Sequence, residues 1–366
     1  MTKSKSNKWA NYLHQSRDIL SRVWDQARDW IKILFIILAC LFGLIIILLF
    51  FLWFFFGRSP LVPPDEIVWG TTYSALAAEE LGLDPKETYK AIVEDLKPQR
   101  LRLVAYWNRI ESEQGIYDFS ELDYQVELAE KHDIPYIIAV GQRVPRYPEC
   151  HIPAWANSVD EKLKQQKLLD FIETTIRRYD DKDYQLFWQV ENEPYVEIFG
   201  QCPALNEEFF NSEIDLARSI TNKSILVTES GELSVWLKAS NKADVLGSTL
   251  YRTVVVGKSG LVVRHIYPAW YYRARSNVIK KIRPNIIEVI VAELQGEPWS
   301  TQPIINTSKS ELERTMNRTQ FEKNIAFTES VGFPEVYWWG AEWWYKEKTE
   351  GNPYYWNRAK TLFRSE

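Results

Sequence analysis

FWQVENEPY, residues 187–195, reads as an apolar, aromatic-rich strand that stops abruptly in Asn192, Glu193 and Pro194. Proline has no N–H to give to a ladder, so the strand ends by delivering an amide and a carboxyl group to its C-terminal edge. A carboxyl pocketed there among aromatic residues and near a second carboxylate has its pKa raised, which keeps it protonated near neutrality. A plain Asn-Glu-Pro loop is the competing reading. A second stretch, IIEVIVAELQGEPW (residues 286–299), shifts the balance. Ile286 to Ala292 is a nearly continuous β-branched run, suited to a strand buried on both faces, and it too ends in a carboxylate, Glu293.

Working outward, strand-like and helix-like patterns alternate along the chain. IVWGTTYS precedes a helix pattern over 84–96, RLRLVAYW one over 122–131, PYIIAVG one over 159–178, and YQLFWQVENEP one over 205–220. SILVTES is followed by a short helix near 233–239, and ADVLGSTLY by a longer insertion and then 270–282. IIEVIVAE is followed by 312–331, and EVYWWGAEWW by 357–363. Such a series predicts an α/β fold, a (β/α)8 TIM barrel, with its site at the C-terminal ends of the strands. A doubly wound open sheet is the alternative; the chain lacks a Gly-rich phosphate loop after its first strand, which weakens a nucleotide-binding version of it.

Two buried parallel strands that each end in a glutamate resemble glycoside hydrolase clan A, the superfamily of retaining (β/α)8-barrel glycosidases. The resemblance implies that Glu193 is the acid/base and Glu293 the nucleophile, with their carboxyls ~5–5.5 Å apart. RLRLVAYWNRIESEQGIYDFSELD (100–123) is similar to the second-strand region of that clan. There Arg102, five residues before Trp107, matches the arginine that supports the nucleophile; Arg100 competes for the role, and Trp107 joins the substrate-binding candidates. Asn192 matches the amide that binds the sugar 2-hydroxyl. Tyr251 is the candidate donor to the nucleophile, with Tyr267 as the second choice, and Trp339, in YWWGAEWWY, is the candidate floor of the sugar subsite. The loop GQRVPRYPECHIPAW brings Arg143, Arg146, His151 and Trp155 over the site; His151 either binds a sugar hydroxyl or is a surface histidine in a tied loop. Glu297 and Glu191 are the rival carboxylates, and Glu229, ending the fifth strand, is a further candidate sugar ligand.

The net charge of the chain is −5, so nothing global points to nucleic acid. Ile33 to Phe56 is an uninterrupted apolar run, long enough at ~1.5 Å per residue to span a ~30 Å hydrocarbon core. It is longer than a signal-peptide core and lacks a small-x-small cleavage site, so a retained transmembrane helix is expected. Lys3, Lys5, Lys8, Arg17, Arg22, Arg28 and Lys32 precede the run, and only Arg58 follows it closely. That asymmetry predicts a single-pass protein of the cell membrane with a cytoplasmic N-terminus and the large domain outside.

Trp9, Leu13, Leu20, Val23, Trp24, Ala27 and Trp30 recur near helical spacing, either as a helix in the inner membrane interface or as a plain extension of the span. The domains expected are 1–32, basic and amphipathic; 33–56, transmembrane; 57–66, a stiff proline-rich spacer; and 67–366, the barrel. Cys40 falls in the span. Cys150 and Cys202 follow the third and fourth strands, whose loops meet at one face, so a disulfide between them fits an oxidising exterior. The four histidines, His14, His132, His151 and His265, show no metal-ligand spacing, and no cofactor is required. Sequons at Asn222, Asn306 and Asn317 matter only in a glycosylating host.

The expected function is that of a membrane-anchored retaining glycoside hydrolase acting on a β-linked oligo- or polysaccharide. The alternatives are an envelope-polysaccharide transglycosidase and an inactive carbohydrate-binding barrel.

Overall fold

The structure, a computed structural model, describes residues 3–196, 200–202, 205–257 and 260–364. The side chains of residues 3–16, 18–23 and 25 lie outside that description, and with them the expected interfacial residues Trp9, Leu13, Leu20 and Val23 and the bases Lys3, Lys5, Lys8 and Arg22. The chain divides into two units, Met1–Phe55 and Phe56–Glu366.

In the first unit one helix, Lys3–Leu52, passes into a π-helical turn, Trp53–Gly57. Its stretch Gln26–Gly57 is long and apolar enough to cross a bilayer, with a mean hydropathy of 3.5 over its best window, a character that signal sequences share. The side chains of Phe35, Phe42, Ile47 and Phe55 are all exposed. The most apolar window of this stretch is apolar on every side and its described residues are not buried, which suits lipid.

The second unit is a closed barrel of eight parallel strands. In chain order these are β1 (Val68–Thr72), β2 (Arg100–Val104), β3 (Tyr136–Val140), β4 (Gln185–Val190), β5 (Ser224–Glu229) and β6 (Val245–Leu250). An antiparallel hairpin follows, β7 (Thr253–Val256) with β8 (Leu261–Arg264), and then the last two barrel strands, β9 (Glu288–Gln295) and β10 (Glu335–Trp339). Ring closure is through β1 and β10, which pair from Val68↔Glu335 to Thr71↔Trp338.

Two-residue periodicity sorts the side chains. Ile137, Leu226, Val245, Ile290 and Tyr337 form one buried cluster, while their chain neighbours Ile138, Ile225, Val227, Val289, Val291 and Trp338 join the larger cluster shared with the helices. Strands whose two faces are both covered need apolar residues at consecutive positions, and that is why they read as continuous β-branched runs.

Several local expectations are corrected. No α-helix forms over 233–239; Leu233, Val235 and Leu237 are exposed, Trp236 is buried with its indole N–H on the Ser230 carbonyl, and a short 3-10 turn, Ala239–Asn241, follows. The helix expected over 312–331 is two pieces, Lys309–Leu312 and Arg318–Val331, because Asn317 caps the second by accepting from the Gln320 N–H at 3.0 Å. Trp343 and Trp344 are not on the eighth strand: Gly340, at φ 113°, ends it, and both tryptophans lie in the helix Ala341–Thr349. β9 continues two residues beyond Glu293.

The 57–66 segment, expected as a stiff spacer, is hydrogen-bonded to the barrel at Gly57 and Val62, beside a further bond at Phe56. Arg273 Nε donates to the Gly57 carbonyl at 2.7 Å, Asn277 Nδ2 to the Phe56 carbonyl at 2.6 Å, and the Val62 N–H to the Gly332 carbonyl at 3.0 Å. Extended proline-rich chain leaves its backbone polar groups unpaired, and here neighbouring helices and loops of the barrel supply the partners.

Candidate active site

Glu293 owes its direction to an irregularity in β9. Against β6, Val291 pairs with Ser248 and Glu293 with Thr249; against β10, Val291 pairs with Val336 and Leu294 with Trp338. The strand therefore carries one residue more than each neighbour at this level, a bulge that re-aims the side chain beside it. The Glu293 carboxylate, 3% exposed in the residue, accepts from Arg102 Nη1 at 3.0 Å on Oε1 and from the Tyr251 hydroxyl at 2.8 Å on Oε2.

Arg102, from β2, is fully buried, and its fork is fully used: Nε donates to Gln189 Oε1 (2.8 Å), Nη1 also to the Ala292 carbonyl (3.3 Å), and Nη2 to Asn192 Oδ1 (2.8 Å). A buried guanidinium is tolerable only with its donors satisfied in this way. Arg100, two residues earlier, instead approaches Glu335 at 3.5 Å, at the opposite end of the barrel.

The end of β4 is strained. Glu191 and Glu193 both take left-handed backbone conformations, φ 58° and 43°, which non-glycine residues adopt only when their surroundings hold them there. The Glu191 carboxylate is held by the backbone N–H groups of Gln142 (2.8 Å) and Arg143 (2.6 Å), so this rival acid serves to lock the β3 and β4 loops together. Gly141, at φ 142°, has no room for a Cβ, which would lie 2.4 Å from Glu191 Oε1. Asn192 Oδ1 accepts from Arg102, from the Thr228 hydroxyl (2.9 Å) and from Gln189 Nε2 (3.2 Å), and the Glu193 N–H donates to Thr228 Oγ1 at 2.9 Å.

The Glu193 carboxyl has no hydrogen-bond partner among the described residues. Burial, followed by the charges of Glu293 and Glu149, holds its pKa well above the ordinary carboxylate range.

The β3 loop covers this centre. Arg146 is clamped between Glu297 (2.5 Å) and Glu342 (3.1 Å), and its guanidinium lies 4.2 Å from the centre of the Trp339 ring, whose N–H donates to Glu297 at 2.8 Å. Trp339 is thus at the mouth, but one face of its ring is taken by Arg146 rather than open to a sugar. Cys150 and Cys202 are joined by a disulfide that ties this loop to the segment after β4. His151 is 1% exposed and bonds the Arg146 carbonyl at 3.0 Å; burial pulls its pKa down to about 4, so it is a neutral, loop-fixing residue that presents nothing to a ligand.

No family model matches the chain, and no curated protein matches it. Solved structures do. An endo-β-1,4-xylanase of glycoside hydrolase family 10 from Gloeophyllum trabeum superposes with a TM-score of 0.50 at 14% identity, over 81% of this chain and 96% of its own. A β-galactosidase from the Antarctic haloarchaeon Halorubrum lacusprofundi gives 0.46 at 15% identity, over 75% of this chain and 52% of its own, so this chain spans about half of its length. A psychrophilic family 10 endo-β-1,4-xylanase gives 0.44 at 12% identity, over 75% and 86%. The likeness is one of fold. What the chain shares with the Gloeophyllum trabeum enzyme is the barrel of eight parallel strands.

Of the residues singled out in the sequence, the structure brings together Arg102, Asn192, Tyr251 and Glu293 by direct hydrogen bonds, with Glu193 beside Asn192 in the chain. It does not bring Trp107 there: two residues past β2 the chain turns outward, and Trp107 is buried against Phe171 and Trp155 with its N–H on Glu111 at 2.7 Å. Tyr267 stacks on Tyr271 at 4.8 Å, leaving Tyr251 as the tyrosine that meets Glu293. Glu229 accepts from the Ala239 N–H at 3.2 Å and is buried.

Three contributors escape the sequence reading. Thr228 holds Asn192 and Glu193; Glu232 accepts from the Tyr251 N–H (3.1 Å), the Thr249 hydroxyl (3.1 Å) and the Tyr272 hydroxyl (3.0 Å); and Glu149 faces Asn192. The adjacency of Glu149 to a bridged cysteine is the one signal that marks it. Among the described residues no cluster of His, Cys, Asp and Glu is arranged to hold a metal ion. A groove of about 770 Å³ lined by Arg264, Lys309, Arg318, Lys323, Trp343 and Tyr355 includes none of the residues of this centre.

Proposed function

We propose that the chain is a membrane-anchored retaining glycoside hydrolase that cleaves a β-linked glycan. One observation carries the reading: two glutamates near the ends of separate strands lie at the barrel mouth in contrasting surroundings. Glu293 is paired with a guanidinium and a phenol, and the Glu193 carboxyl is buried with no hydrogen-bond partner among the described residues. Double displacement needs this division of labour. Glu193 gives its proton to the glycosidic oxygen while a Glu293 oxygen bonds to the anomeric carbon and the C–O bond to the leaving group breaks. Glu193, now ionised, takes a proton from water, whose oxygen displaces Glu293 and restores both groups.

Arg102 and Tyr251 hold the nucleophile in its reactive orientation, and Asn192, fixed through its oxygen by three donors, turns its NH2 group toward the sugar 2-hydroxyl. The helix within Gln26–Gly57 anchors the protein, and the excess of bases before it orients the barrel outside the cell.

The test uses the full chain in detergent beside its Glu293→Ala variant, with β-glucans, xylans, mannans and aryl β-glycosides. Sugar released by the parent alone, with the β-anomer formed first by NMR, is the expected result. Initial release of the α-anomer would reject retention. Chain lengthening at high substrate would assign the site to transglycosylation, and binding without release would leave a carbohydrate-binding barrel.

A further inference from the structure

Glu149 stands in the centre with no part in the double displacement. Its carboxylate meets Asn192 Nδ2 at 3.4 Å, longer than the ~2.9 Å of a well-made N–H···O bond. Asn192 cannot turn away, because its oxygen is engaged by Arg102, Thr228 and Gln189. One NH2 donor and one carboxylate acceptor therefore sit side by side, neither fully engaged with the other.

Their position relative to the reacting carbon follows from Arg102, which holds Glu293 with Nη1 and Asn192 with Nη2. A sugar whose anomeric carbon lay against Glu293 would carry its C2 substituent two bonds away, on the side of the site where Arg102 holds Asn192 beside Glu149. Another polar group beside the pair is also short of a partner: Arg143 is fully buried, and its Nη2 is unbonded among the described residues. A hydroxyl-rich ligand supplies what such groups lack.

The carboxyl is built in rather than free to swing. Glu149 takes φ 76°, its N–H donates to the Arg146 carbonyl at 2.8 Å, and its carbonyl accepts from the Val144 N–H at 3.0 Å. Gly200 packs so closely that a Cβ there would lie 2.5 Å from Glu149 Cγ, and the neighbouring Cys150 is bonded to Cys202. Burial and the Glu293 charge push the Glu149 carboxyl up to about 7, as expected of an acid enclosed with the nucleophile.

We propose that Glu149 reads the C2 substituent of the sugar at the reacting position and restricts the site to glycans with a free 2-hydroxyl there; this rests on the glycosidase reading above. A hydroxyl accepts from Asn192 Nδ2 and donates to Glu149 at once. A 2-deoxy sugar leaves both unpaired, and a 2-acetamido group offers no oxygen at the position of the hydroxyl and adds bulk against a carboxyl that Gly200 holds in place.

The experiment compares kcat/KM of the full chain for the aryl β-glycoside it hydrolyses fastest with its 2-deoxy and 2-acetamido counterparts, in parent, Glu149→Gln, Glu149→Ala and Glu293→Ala proteins. The parent is expected to favour the 2-hydroxy substrate over the 2-deoxy one by about 10²-fold or more, the margin a site built to bond a hydroxyl commands. Glu149→Gln and Glu149→Ala are each expected to shrink that ratio about tenfold or more. Intact mass showing the Cys150–Cys202 bond and an unchanged unfolding midpoint identify folded variants; Glu149→Gln, of equal size, serves if Glu149→Ala fails to fold. An unchanged ratio in the folded variants, or a parent that prefers the 2-acetamido substrate, overturns the assignment of Glu149 while leaving the glycosidase standing. A parent that cleaves none of the substrates, like Glu293→Ala, overturns both.

Discussion

Glu193 and Glu293 are the same residue near the C-terminal ends of two parallel strands, Glu193 three residues past β4 and Glu293 inside β9, and their surroundings differ. Glu293 receives two strong donors, a guanidinium at 3.0 Å and a phenol at 2.8 Å, which stabilise its charge in a site from which water is largely excluded. Glu193 receives none among the described residues, lies almost as deeply buried, and faces the charges of Glu293 on β9, Glu149 on the β3 loop and Glu232 on the β5 loop, with Arg143 opposing them. Desolvation and like charge act in the same direction, so its neutral form is favoured. On the proposed glycosidase reading, one amino acid would serve as acid in one place and nucleophile in the other because only Glu293 is hydrogen-bonded to a guanidinium.

That contrast can be broken by substitution. The largest loss is expected for Glu293→Gln, about 10⁴-fold or more in kcat, because no covalent intermediate can form. Glu193→Gln should cost about 10²–10⁴-fold on substrates with poor leaving groups and far less on an activated aryl glycoside, whose departure needs no proton. Equal losses on both substrates would deny Glu193 the role of acid.

Arg102→Lys should lower kcat by about 10²–10³-fold, since a point charge cannot replace a fork that holds Glu293, Asn192 and Gln189 together. The same change should destabilise the barrel by about 3 kcal/mol or more, read from denaturant unfolding, because it leaves buried partners unpaired. Tyr251→Phe removes one hydrogen bond to a charged group and should cost about 10–10²-fold.

The smallest effect is also the sharpest. Glu193 must be protonated to act, so the rate should hold through mildly acidic pH and fall as pH rises through its elevated pKa. In Glu293→Gln the removal of the neighbouring charge should lower the Glu193 titration midpoint, measured by carboxyl-carbon NMR. An unmoved midpoint would mean that the two carboxyls do not sense each other.

Much of this was legible beforehand, and the reasons are local. Apolar runs such as IVWGT, YIIAV and EVIVA declare doubly covered strands because burial on both faces favours apolar residues at consecutive positions. Asn192 and Glu293 stand out because polar residues interrupt those runs at their ends. Trp107 misled because distance along the chain does not reveal where a strand stops: β2 ends at Val104, and the turn that follows carries the indole outward into the helix layer. Trp343 and Trp344 misled for a similar reason, since a single glycine in a left-handed conformation changed strand into helix before them.

By itself the sequence determined the alternation of strands and helices, the apolar N-terminal helix and the two glutamates at strand ends, all of which follow from residue spacing of a few positions. Only the tertiary structure decided that Arg102 rather than Arg100 meets Glu293, that Tyr251 rather than Tyr267 does so, and that Glu149 stands beside Asn192. These contacts join residues 42 to 191 positions apart. They depend on barrel closure, on a one-residue bulge in β9 and on a disulfide-tied loop, and such long-range geometry leaves no periodic trace in the chain.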